Sequence, residues 1–64
     1  MTAKEILRLL QQNGWYICET KGSHYQLKHD EKSGKITIPF HKGDLKAGTL
    51  NSILKQAGLK EILN

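Results

Sequence analysis

At 64 residues the chain is expected to form one domain spanning 1–64, with a small core and a narrow stability margin. Ten Lys or Arg against six Asp or Glu leave a net charge of +4 and a pI near 9.4, which favours an anionic partner, nucleic acid first. One cysteine excludes an internal disulfide framework and a cysteine-rich metal site, an apolar share of 38%, about 47% once the six glycines are counted, argues against disorder, and no stretch approaches the roughly 20 apolar residues of a membrane span.

Thr2 to Gln12 reads as a helix. Thr2 and Glu5 stand at capping-box spacing, and Ala3, Ile6, Leu7 and Leu10 follow an i, i+3, i+4, i+7 stripe. Asn13-Gly14 ends it, both residues accepting the left-handed conformation beyond a helix end. Trp15 to Lys21 reads as a strand with Trp15 and Ile17 toward the core. Trp15 as a base-stacking platform is the alternative. Cys18, in an apolar run, is expected to be a buried, inert thiol. With no leader-like run, a reducing, cytoplasmic setting is expected.

His24 to His29 alternates: Tyr25 and Leu27 on one face, His24, Gln26 and Lys28 on the other. Lys35 to Phe40 is a third strand, with Ile36, Ile38 and Phe40 inward and Lys35, Thr37 and Pro39 outward. Pro39 marks a strand end or an edge. Asp44 is the expected N-cap of a second helix from about Leu45 or Lys46 to Ala57, striped by Leu50, Ile53, Leu54 and Ala57. Gly48 in its first turn would admit a close neighbour, Gly58 would cap it, and Leu59 to Leu63 would form a closing turn. The fold class is α+β: helix, three-stranded antiparallel sheet, helix, with both helices on one face and the other face bare.

At the first hairpin stands Gly22-Ser23-His24. Glycine allows a positive φ or a close ligand approach, serine can brace the turn, and histidine carries acid–base chemistry near neutral pH. His29 reads as structural or solvent-facing, whereas His41, after the Pro39 strand end, is a candidate to lie near the site. Paired carboxylates at one site, metal-ligand spacing, a glycine-rich phosphate loop and a nucleophile elbow are all absent, so no metal or cofactor is expected.

Gly22-Ser23-His24-Tyr25-Gln26-Leu27 resembles the G-S-H motif of HicA-type toxins. The resemblance extends to Ile38-Pro39-Phe40-His41-Lys42-Gly43, Leu45-Lys46, Gly48-Thr49-Leu50 and Ile53 to Leu59, and to the helix ending at Asn13-Gly14-Trp15. It covers nearly the whole chain and implies a fold like a double-stranded-RNA-binding domain. It implies a small bacterial ribonuclease that cleaves messenger RNA and arrests translation. It implies a HicB-type antitoxin as protein partner, covering the active site. It maps the family's catalytic histidine onto His24.

That chemistry fits what the residues offer. RNA brings its own nucleophile, the 2′-hydroxyl, so a base, alignment and cations suffice. His24 would be the general base; Lys28 and Lys35 would hold phosphates on the open face; Lys21, Lys42 and Lys46 would extend the basic track. Gly22 and Ser23 would approach the RNA through the turn. A non-catalytic RNA-binding module and a protein-docking domain are the competing readings.

Overall fold

Thr2 starts the first helix because its side chain and that of Glu5 satisfy each other's backbone. Thr2 Oγ1 accepts from Glu5 N–H at 3.2 Å, and Glu5 Oε1 accepts from Thr2 N–H at 2.9 Å. The computed structural model describes residues 1–59. Its elements in chain order are α1 (Ala3–Gln12), β1 (Trp15–Lys21), β2 (His24–His29), β3 (Ile36–Pro39) and α2 (Ala47–Ala57). The strands form one antiparallel sheet in the order β1-β2-β3. The turn expected over Leu59 to Leu63 lies outside the described residues beyond Leu59.

Both helices pack on one face of that sheet. Ala3, Ile6 and Leu10 of α1 and Ile53, Leu54 and Ala57 of α2 join Trp15, Leu27, Ile36 and Ile38 in a single core. Burying a side chain such as Leu27 or Ile38 contributes about 1.5–3 kcal/mol. Trp15 is 2% exposed and belongs to this core, so it is no stacking platform. Its ring meets His29 edge-on at 5.2 Å, and among the described residues its buried Nε1 has no hydrogen-bond partner. His29 is structural: Nε2 donates to Asn13 O at 3.0 Å, while Nδ1 accepts from Glu31 N–H at 2.9 Å.

Four expectations change. Cys18 is exposed, not buried, because the chain bulges between Ile17 and Glu19. Asp44 does not cap α2. It pairs with Thr2 in an isolated bridge and lies 3.8 Å from the Met1 ammonium, which leaves Lys46 as an N-cap without a side-chain hydrogen bond. Tying Asp44 to the start of α1 delays the second helix to Ala47. Gly48 admits no close neighbour among the described residues, since a Cβ there would meet nothing within 4 Å. Lys35 and Phe40 fall just outside β3, although Phe40 N–H still donates to Ser23 O at 2.6 Å.

The far end of α2 closes on the loop after β2. Gly58 takes a φ of +73° at the C-cap, and Lys32 Nζ donates to Ala57 O at 2.8 Å. A cation there also complements the negative end of the helix dipole.

Candidate active site

The β1–β2 hairpin has a two-residue loop, Gly22-Ser23, closed by the pair Lys21↔His24. Gly22 has a φ of +54°, and no non-glycine residue of the described chain has a positive φ. Positive φ at the first loop position alone is the pattern of a type II′ turn, whose twist matches that of the strands. The bond from Phe40 N–H to Ser23 O then fastens this turn to the end of β3.

Directly paired residues share a face, so the register assigns the bare side of the sheet. His24 lies between Lys21 on β1 and Pro39 on β3; Gln26 lies between Glu19 and Thr37; Lys28 stands opposite Tyr16. Because Ser23 and Phe40 exchange a ladder bond, alternation makes His24↔Pro39 a non-hydrogen-bonded pair, the type with the closer side chains. The nitrogen of Pro39 then points to the free edge of β3, where a missing N–H costs the ladder nothing.

The bulge at Cys18 makes this arrangement possible. Strict alternation from a buried Trp15 would turn Glu19 and Lys21 toward the helices. One extra residue lets Trp15 and Ile17 keep the core side while Glu19 and Lys21 take the bare side with His24. Ile17, on the edge strand, is still 37% exposed.

His24 is exposed, and among the described residues its imidazole makes no hydrogen bond. Its nearest cation by register is Lys21, whose Nζ lies 3.5 Å from Glu19 Oε2. Lys28 is four residues farther along β2, roughly 13 Å away at strand rise. Lys35 stands just before β3, opposite Lys28 if the register continues. Gly22 and Ser23 form the exposed turn beside His24; Lys42 and Lys46 are exposed on the segment leading from β3 into α2. The cations therefore form three groups along the bare face and its rim rather than one ring.

Glu19 was missed in the sequence. Its signal was the conflict between an inward Trp15 and a hairpin that forces Lys21 outward. The Thr2 N–H bond to the Glu5 carboxylate lowers the pKa of Glu5. It lies on α1, away from the bare face.

Fold and site define a single-sheet α+β domain whose helices take one face and whose other face carries a histidine and several lysines. A family model described as the HicA toxin of bacterial toxin-antitoxin matches residues 3–59. A solved toxin–antitoxin complex from Streptococcus pneumoniae contains a chain 40% identical to this one, with a TM-score of 0.78; the match covers 92% of this chain and 98% of that one. No curated protein matches. The chain belongs to the HicA toxin family of bacterial toxin–antitoxin systems. Among its described residues, no helix is long and apolar enough to cross a membrane.

Proposed function

We propose that this protein is a metal-independent endoribonuclease that cleaves messenger RNA in the bacterial cytoplasm and so arrests translation. His24 takes the proton of a 2′-hydroxyl, and the resulting oxyanion attacks the adjacent phosphorus. The products are a 2′,3′-cyclic phosphate and a 5′-hydroxyl. Lys21 stabilises the charge that develops on the phosphate, and Lys28, Lys35, Lys42 and Lys46 hold flanking phosphates. Gly22 and Ser23 let the RNA backbone come close to the turn. One observation carries this reading: the His24 imidazole is exposed on the sheet face the helices leave bare, directly across from Lys21.

A HicB-type antitoxin would inhibit by covering that same face. The Streptococcus pneumoniae chain of similar fold was solved as part of a toxin–antitoxin complex, which supports such a partner here.

The test compares wild type with His24→Ala on RNA in the presence of EDTA. The expected result is cleavage by wild type and a fall of about 10²- to 10⁴-fold in the variant, with RNA affinity kept. Undiminished cleavage by the variant would remove His24 from the chemistry. Binding without cleavage in either protein would make this an RNA-binding module.

A further inference from the structure

Transphosphorylation needs a proton donor for the departing 5′-oxygen as well as a base for the 2′-hydroxyl. We propose that His41 is that donor. The inference rests on the ribonuclease reading above and completes it.

Three observations bring His41 to the site. Phe40 N–H bonds Ser23 O, so the chain leaving β3 continues alongside the Gly22-Ser23 turn. Pro39 pairs with His24 on the bare face, while the Phe40 ring stacks on Tyr25 on the other side, their centroids 4.4 Å apart. His41 follows two residues after Pro39, the partner of His24, just beyond the end of β3. Were the extended course of β3 to continue through His41, its Cα would stand about 7–8 Å from that of His24, as in a diagonal cross-strand pair. That spacing leaves room for a phosphodiester between two imidazoles.

One ring nitrogen of His41 is also held by the backbone. Its Nδ1 lies 3.3 Å from the carbonyl oxygen of Lys42, which can only accept, so Nδ1 carries a proton. Nε2 is the nitrogen left to hold or release the working proton. A backbone carbonyl holding one ring nitrogen is how proteins commonly fix an imidazole's tautomer. His29 offers no such freedom, since both of its nitrogens are engaged on the core side. By register and sequence, and among the described residues, the charged groups nearest the pair are Lys21 and Glu19 on β1 and Lys42 beside His41.

The step balances. His24 accepts the 2′-hydroxyl proton, O2′ bonds to phosphorus, the P–O5′ bond breaks, and the His41 imidazolium gives its Nε2 proton to O5′. Solvent then returns each imidazole to its starting state. No oxidant, reductant or co-reactant is needed.

The experiment measures kcat/KM against pH for wild type, His24→Gln and His41→Gln on one RNA oligonucleotide. A second oligonucleotide carries sulfur in place of O5′ at the mapped cleavage site, because a thiolate leaves without a proton. Wild type should give a bell-shaped profile. His41→Gln should lose about 10²- to 10⁴-fold in rate together with the alkaline limb, and should recover most of that rate on the sulfur substrate. His24→Gln should lose the acid limb and gain nothing from sulfur. If His24→Gln is inactive but His41→Gln keeps the wild-type rate and profile, His41 is not the donor and the ribonuclease reading stands. If His41→Gln is slow and sulfur fails to restore it, the donor role is likewise overturned. If His24→Gln is fully active, the base role of His24 falls and takes this inference with it; if wild type itself leaves the RNA uncut, the ribonuclease reading falls.

Discussion

The same substitution at two glycines should move stability in opposite directions. Among the described residues, a Cβ added at Gly22 or at Gly48 would meet nothing within 4 Å, so neither change creates a clash there. Only backbone conformation distinguishes them. Gly22 sits at φ +54° in the hairpin turn, where an L side chain is strained by about 1–3 kcal/mol. Gly48 sits in the first turn of α2 without a positive φ, so replacing it with alanine removes unfolded-state freedom and stabilises by about 0.5–1 kcal/mol. A domain of this size shifts its melting temperature by roughly 4–8 °C per kcal/mol. Thermal unfolding followed by circular dichroism should therefore place Gly22→Ala several degrees below wild type and Gly48→Ala a few degrees above it. Cleavage measured well below both melting temperatures should fall for Gly22→Ala, because the turn sets the position of His24. Shifts of the same sign in the two variants would refute the reasoning. So would a Gly22→Ala protein that melts with wild type.

Gly14→Ala should be costlier than Gly22→Ala in the same melting experiment, since φ is +92° and the new Cβ would lie 2.6 Å from His29 Nε2; equal costs would show that the His29 ring moves aside freely. Thr2→Ala should destabilise by about 1 kcal/mol through loss of the capping box. The Glu5 carboxyl is held below its ordinary pKa by the Thr2 N–H bond, so its contribution is present above the usual carboxylate range and is lost as pH falls through the lowered value. The stability difference between wild type and Glu5→Gln should accordingly be seen near neutral pH and vanish in strong acid; a difference constant with pH would contradict the assignment. RNA affinity should rise in Glu19→Gln, because that carboxylate competes with phosphate for Lys21. The exposed pair itself is worth only about 0–1 kcal/mol, so a filter-binding assay should show a severalfold gain, and weaker binding would overturn the competition. Affinity in wild type should also fall linearly with the logarithm of salt concentration, and a flat response would remove the phosphate contacts.

Local signals carried much of the architecture. The Thr2–Glu5 spacing, the Asn13-Gly14 stop and the alternation of Tyr25, Leu27, Ile36 and Ile38 each rest on neighbours a few residues apart, and each matches the structure. Asp44 failed because its competitor is distant in sequence: the Thr2 backbone and the Met1 ammonium claim it before α2 can. Lys32 went unread for the same reason, its partner, the Ala57 carbonyl, lying 25 residues farther along the chain. Side-chain capping is local and legible, whereas competition for a cap is tertiary.

Cys18 shows how one missed residue alters the site. Read as a plain strand, Trp15 to Lys21 puts a thiol inward or outward according to register and gives Glu19 no role. The two-residue hairpin loop fixes Lys21 against His24, and burial fixes Trp15, six residues earlier, on the opposite face. Both constraints hold only if one residue between them goes unpaired, and Cys18 is that residue. A bulge increases local twist and re-aims the side chains beside it. Here it turns an ammonium and a carboxylate from the core side toward the exposed imidazole. Deleting Cys18 should therefore do more harm than replacing it with serine. The deletion must send either Trp15 out of the core or Lys21 away from His24, whereas Cys18→Ser keeps both registers. A deletion variant with wild-type melting and wild-type cleavage would show that the charge next to His24 does not depend on the bulge.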